Sequence, residues 1–284
     1  MSAPVLRIQG LSVDYAVEPR VHALADVDLE LHRGEVLGIA GESGCGKSTL
    51  AYAVTRLLKP PAEVVSGEVH FLADGEDVRI DQLEGEALRR FRWDRISMVF
   101  QGAMNALNPV LSIGAQLGDV FTTHRPGMKD AERRAACARL LEKVGVPADR
   151  LTVYPHQLSG GMRQRVMIAM ALALDPPVMI MDEPTTALDV VVQREILDEI
   201  LRLRDEFGFA VIFITHDLPL LLEISDRIAV MREGRITELA PTRRLYEAPE
   251  HPYTRELLRS FPSLTGDQGG FVRTGAVRVV EEER

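Results

Sequence analysis

The chain has 284 residues, 46% hydrophobic and 26% charged, and its 33 basic and 42 acidic residues give a net charge of −9. That length is about two domains' worth and can bury a substantial core, while the composition excludes a disordered or fibrous chain. The acidic balance argues against sequence-independent nucleic-acid binding and against a polybasic lipid patch, both of which need Lys and Arg to meet phosphates.

The first ten residues, MSAPVLRIQG, lack a basic start and a long apolar run, so no secretory signal is expected. The N-terminal part reads as β-rich. Val27, Leu29 and Leu31 alternate with Asp28, Glu30 and His32, the pattern of a half-buried strand. Val36–Ala40 is a continuous apolar run ending at Gly41, as expected for a strand buried on both faces. Ser48–Leu58 is predicted as a helix, and Val69–Leu72 and Ile96–Phe100 as two further strands.

The middle is more helical. Lys129–Val144 is predicted as a helix with Ala131, Ala135, Ala138, Leu141 and Val144 on its buried face. Cys137 lies on it as a packing residue. A second helix runs from Ser159 to about Leu174, where Asp175-Pro176-Pro177 breaks it. Its stretch Val166–Leu174 is the most apolar in the chain, yet far short of the ~20 residues that span a bilayer. With only two cysteines, Cys45 and Cys137, the chain has neither a disulfide framework nor a multi-cysteine metal site, and a reducing, cytosolic compartment is expected.

Val178–Met181 and Ala210–Thr215 read as strands flanking a charged amphipathic helix over Val190–Glu206. Ile228–Met231 and Arg235–Leu239 flank Glu233-Gly234, a hairpin signal. From Ser263 onward the tail is weakly patterned. The order is an α/β core of βαβ type with a helical insertion at about 100–165 and a short C-terminal extension.

Gly41-Glu42-Ser43-Gly44-Cys45-Gly46-Lys47-Ser48 fits G-x-x-x-x-G-K-[ST], between a predicted strand and a predicted helix. Glycines let successive backbone N–H groups turn toward one anion, and the helix N-terminus adds positive potential. Lys47 can reach the β- and γ-phosphates, and Ser48 can ligate Mg²⁺. The strand Val178–Met181 ends in Asp182, a second anchor for the metal through water. Glu183 follows, a carboxylate that can polarise an attacking water. These residues alone define a nucleoside triphosphatase or a kinase. Cys45, at a helix N-terminus, is also a candidate for thiol-reagent sensitivity.

Leu158-Ser159-Gly160-Gly161-Met162 resembles the LSGGQ signature of ABC-type ATPases, with Met in place of Gln. Gln101 resembles the family's Q-loop, Thr186-Ala187-Leu188-Asp189 its D-loop, and His216 its H-loop histidine. Tyr15 is placed as the aromatic that stacks on adenine. The likeness covers roughly residues 5–240. Asn105-Ala106-Leu107-Asn108-Pro109 and His251-Pro252-Tyr253-Thr254, with the glycine-rich loop, are similar to the oligopeptide/dipeptide import branch, which also includes nickel and oligosaccharide importers.

The resemblance implies a P-loop NTPase of ABC type. It would have a RecA-like core, an antiparallel β subdomain, a helical subdomain over about 102–165, and an extension over 241–284 beyond the ATPase domain of 1–240. It implies ATP bound by Tyr15, Gly41, Ser43, Gly44, Cys45, Gly46, Lys47, Ser48 and Thr49. Ser159, Gly160, Gly161 and Asp189 would act across a head-to-tail dimer. Mg²⁺ would lie near Ser48, Gln101 and Asp182, and hydrolysis would depend on Glu183, His216 and Gln101. No cysteine follows Cys137, so the iron–sulfur centre of some relatives is not expected. The implied partners are a second ATPase subunit, two permease subunits gripped near Gly102–Leu117, and an extracytoplasmic binding protein. The chain would sit peripherally on the cytoplasmic membrane face and bind no nucleic acid. Peptide-like or oligosaccharide solutes are the expected cargo. A soluble ABC-type ATPase acting on nucleic acid or ribosomes, or a P-loop kinase, is the alternative.

Overall fold

The computed structural model describes residues 3–102, 106–186 and 188–260. Asn105, Ala187 and the tail from Ser263, singled out above, lie outside the described residues.

Two sheets organise the molecule. The first is antiparallel, in the order β2-β1-β4-β5, formed by β1 (Pro4–Tyr15), β2 (Val21–His32), β4 (Ala62–Phe71) and β5 (Val78–Arg79). The second has six strands in the order β10-β9-β3-β8-β7-β6. Its members are β3 (Val36–Ala40), β6 (Ile96–Val99), β7 (Val178–Asp182), β8 (Ala210–Ile214), β9 (Arg227–Arg232) and β10 (Arg235–Pro241). Five of its strands run parallel, and the β9–β10 hairpin adds an antiparallel edge.

The parallel strands β3, β7 and β8 are buried along their whole length, because both faces of their sheet are covered. The alternation of side chains divides the core in two. Met179, Met181, Val211 and Phe213 face a cluster built with the helices of the insertion. Val178, Ile180, Ile212 and Ile214 face the antiparallel sheet and α1 (Lys47–Val54). A strand that packs on both sides needs apolar residues at every position, which is why these runs read as unbroken hydrophobic stretches.

Several sequence expectations need correction. α1 ends at Val54 rather than Leu58: the Thr55 hydroxyl donates to Ala51 O at 2.8 Å, and Arg56 takes φ 59. The helix over 129–144 is α4 (Asp130–Lys143), but its buried face carries Ala136, Cys137, Leu140 and Leu141, while Ala131 and Ala135 are exposed. Alanine fits either face, so the larger Cys137 and Leu140 decide the rotation. α5 spans Gly160–Ala171 and ends three residues earlier than predicted. Strands β1 and β5 and the helices α2 (Gly85–Asp94), α3 (Ile113–His124), α7 (Leu218–Ile224), α8 (Thr242–Glu247) and α9 (Pro252–Arg259) are additions to the elements expected from the sequence. The long charged helix is α6 (Val190–Phe207).

Trp93, at a non-helical φ of 67 near the end of α2, donates from its indole to Met170 O at 2.7 Å. That bond ties α5 to the element preceding β6. No helix among the described residues is long and apolar enough to cross a membrane.

Candidate nucleotide site

The C-terminal ends of β3, β7 and β8 converge on one cleft of about 800 Å³, as ligand sites do in open α/β sheets. The loop after β3 reverses direction through left-handed backbone at Gly44 and Gly46. At Gly46 (φ 107) a Cβ would lie 2.5 Å from Ala23 O, so only glycine fits. The β9–β10 turn braces the same loop: Gly234 N donates to Cys45 O at 3.0 Å, and Ala25 N donates to Gly234 O at 2.9 Å. Sequence reasoning read Glu233-Gly234 only as a turn. The intervening sequence separation of nearly 190 residues carries no signal of this contact.

Ten of the predicted residues line the cleft together: Tyr15, Ser43, Gly44, Gly46, Lys47, Ser48, Thr49, Gln101, Glu183 and His216. Gly41, Cys45 and Asp182 are buried. Val21, His22 and Ala23 also line the cleft and were not anticipated. They open β2 directly opposite the end of β1, and only strand register brings them there. Tyr15 stands with its hydroxyl 3.5 Å from Thr49 Oγ1. Lys47 is 8% exposed, and its ammonium donates to Gly41 O at 2.7 Å and Glu42 O at 2.8 Å.

Glu183 gathers three side chains from three segments. Gln101 Nε2 donates to Glu183 Oε2 at 2.9 Å, the Thr186 hydroxyl donates to the same oxygen at 3.0 Å, and His216 Nδ1 lies 3.0 Å from Oε1. Burial alone would raise this carboxyl, but the hydrogen bonds from His216, Thr186 and Gln101 outweigh it and hold Glu183 below the usual carboxylate range. Its backbone takes φ 46, an uncommon value for a non-glycine residue, and its N–H donates to Ile214 O at 2.9 Å. The end of β8 therefore fixes where Glu183 points. Thr186 was read only as part of a loop motif; its hydroxyl is a partner of Glu183.

Asp182 is fully buried, and its polar neighbour, the Ser48 hydroxyl, falls short of full hydrogen-bond geometry with either oxygen. Burial pushes its carboxyl above the usual range; the Ser48 hydroxyl opposes the rise, the Glu183 charge adds to it and the Lys47 ammonium opposes it. A buried carboxylate so sparsely satisfied is costly. The donor set of Asp182, the Ser48 hydroxyl and the Gln101 amide is all oxygen-bearing, the chemistry that suits Mg²⁺.

Ser159, Gly160, Gly161 and Asp189 do not line this cleft. Ser159 caps α5, accepting from Met162 N at 3.2 Å, and is exposed. Asp189 caps α6, accepting from Val192 N at 3.0 Å. The two helix starts pack closely: a Cβ on Gly161 would lie 2.7 Å from Val192 Cγ1.

A glycine-rich loop at a helix N-terminus, beside a strand that ends in Asp182 and is followed by Glu183, defines a P-loop nucleoside-triphosphate-binding protein. Residues 24–186 match the ABC transporter family, and residues 237–282 match the oligopeptide/dipeptide transporter C-terminal region. The oligopeptide transport ATP-binding protein OppD of Lactococcus lactis subsp. cremoris is 44% identical over 99% of this chain and 83% of its own length. The glutathione import ATP-binding protein GsiA of Salmonella typhimurium is 43% identical over 94% of this chain, which spans 44% of that protein. Among solved structures, the ATP-binding cassette MJ0796, a dimer in a post-hydrolysis state bound to ADP and Pi, superposes with a TM-score of 0.72 at 30% identity. It covers 84% of this chain and 98% of its own. The chain belongs to the ABC transporter family, as an ATP-binding, ATP-hydrolysing subunit.

Proposed function

We propose that this chain is the motor subunit of an importer for peptide-like solutes, turning over Mg-ATP on the cytoplasmic face of a membrane. Oligosaccharide remains the second solute class. The observation that carries the catalytic reading is the Glu183 carboxylate, kept ionised by Gln101, Thr186 and His216 at the mouth of the phosphate loop.

In this reading Tyr15 stacks on adenine. The N–H groups of Gly44, Cys45 and Gly46, with Lys47, cradle the phosphates, flanked by Gly41, Ser43 and Thr49. Ser48 and Gln101 would hold Mg²⁺, with Asp182 behind them; the fit rests on the two buried Asp182 oxygens, neither fully satisfied by the protein. The metal would neutralise charge on the β- and γ-phosphates. Glu183 accepts the proton of the attacking water, and His216 orients that water and the γ-phosphate.

Ser159, Gly160 and Gly161 start a helix but do not line their own cleft, which suits an anion bound to a second subunit. Two chains packed head to tail would then complete two sites, with Asp189 at the interface. The helices α3 to α5 would form the helical subdomain that grips two permease subunits, and α8 and α9 would begin the extension beyond residue 240. An extracytoplasmic binding protein would deliver solute.

The test is co-purification of the tagged chain from detergent-solubilised membranes, followed by reconstitution. The expected result is retention of two permease subunits and ATP-dependent uptake of peptide into vesicles. Elution of the chain alone, with no uptake by the reconstituted fraction, overturns the reading.

A further inference from the structure

The motif His251-Pro252-Tyr253-Thr254 has no part in the chemistry described so far, yet the structure seats it against the phosphate loop. Tyr253 is 4% exposed, and its hydroxyl accepts a hydrogen bond from Glu42 N at 3.4 Å. The Arg232 guanidinium lies 4.8 Å from the centre of its ring. The segment is anchored behind the tyrosine as well. Glu238 on β10 accepts from Glu250 N at 2.9 Å and from His251 N at 3.0 Å, and the His251 ring caps α9 by accepting from Tyr253 N at 3.1 Å.

The bond to Glu42 matters because of which peptide it grips. The Gly41 carbonyl and the Glu42 N–H belong to one planar unit. The carbonyl end accepts from Lys47 Nζ at 2.7 Å, and the N–H end donates to Tyr253. On the flank, a Cβ at Gly41 would meet Met231 O at 2.3 Å, so the chain at Gly41 runs close against the end of β9. With both ends held, the first peptide of the loop is fixed in orientation, and it directs the N–H groups that follow. Burial pushes the Tyr253 hydroxyl upward, the bond from the Glu42 N–H opposes that rise and the Glu42 carboxylate adds to it, so the group stays neutral and keeps its O–H.

We infer that Tyr253 is a positioning residue for nucleotide binding: through the Gly41–Glu42 peptide, the C-terminal segment holds the phosphate loop in its anion-receiving shape. The inference rests on the reading of that loop as the phosphate cradle. It makes the extension a part of the ATP site's framework rather than an appendage.

Tyr253→Phe keeps the ring and its packing and removes only the hydroxyl. In the full chain, loss of one neutral hydrogen bond should raise the Kd for Mg-ATP by about three- to tenfold, with kcat at saturating ATP within about twofold of wild type. Amide exchange of the peptide covering residues 41–46 should accelerate, while that of β1 and β2 stays unchanged. Tyr253→Leu, which also loses the cation–π contact, should weaken binding further. An unchanged Kd in Tyr253→Phe overturns the inference, as does acceleration of exchange throughout the chain. Lys47→Ala measured alongside separates the two readings: if it too binds ATP normally, the phosphate-cradle reading itself has failed.

Discussion

Glu183 and Asp182 are adjacent carboxylates pushed in opposite directions, and their surroundings decide which does what. Glu183 has three hydrogen-bonding neighbours and sits below the usual carboxylate range. Asp182 has only the nearby Ser48 hydroxyl and sits above it. Glu183→Gln keeps the size and loses the basic oxygen. ATP binding should survive while turnover falls by about 10²–10⁴-fold; steady-state hydrolysis and calorimetric ATP titration measure both. Wild-type turnover in this variant would remove Glu183 from the mechanism.

Asp182→Asn should do the reverse for stability. A raised folded-state pKa means the native form binds its proton more tightly than the unfolded form, so the penalty is full above the folded pKa and fades as pH falls toward the unfolded one. Relieving the desolvated charge is expected to stabilise the nucleotide-free chain by about 1–3 kcal/mol at neutral pH. Its melting temperature should rise by several degrees, while Mg²⁺-dependent hydrolysis is lost. Glu183 carries the opposite sign: its contribution is present above the unfolded carboxylate's pKa and is lost as pH falls through the depressed one. Thermal scans from acid to neutral pH on both variants distinguish the two slopes.

At the scale of elements, the phosphate loop is shaped by what surrounds it as much as by its own glycines. Three segments press on it: the start of β2, the β9–β10 turn and the N-terminus of α9. Gly234, at φ 77 with Ala23 O only 2.8 Å from where a Cβ would stand, is the tightest point of the turn. Gly234→Val should cost about 1–3 kcal/mol through backbone strain and lower ATP affinity, although the residue is nearly 190 positions from Lys47. Denaturant melts and ATP titration check this together; loss of stability with unchanged affinity would show that the brace does not shape the loop. The strands β3, β7 and β8 were legible because parallel strands buried on both faces leave continuous apolar runs. α4 was legible as a helix but not in its rotation. Four alanines gave no preference between faces, and Cys137 with Leu140 settled it on contact with the core.

For the whole molecule, the decisive geometry is that the signature helix start and the phosphate cleft belong to different parts of the surface. Ser159 is exposed and lines no part of the cleft that holds Lys47. A second chain with two-fold symmetry would supply each cleft with the missing anion donors. In the Glu183→Gln background, ATP should convert the chain from monomer to dimer, and Ser159→Arg should abolish that conversion while leaving ATP binding intact. Light scattering with and without ATP reads the outcome. An unaltered ATP-dependent dimer in the double variant would exclude the head-to-tail arrangement.

The sequence by itself determined the class of chemistry. A phosphate loop needs glycines and a Lys-Ser pair at fixed spacing, and a two-sided strand ending in Asp-Glu needs its apolar run, so both constraints are local and written in consecutive residues. What the tertiary structure decided lies between segments far apart in the chain. It brought Gln101, Thr186 and His216 onto one carboxylate, buried Asp182 with little to satisfy it, set Gly234 and Tyr253 against the phosphate loop, and left Ser159 outside the cleft. Hydrogen bonds and burial depend on which surfaces meet, and no spacing along the chain encodes a meeting between residues 42 and 253.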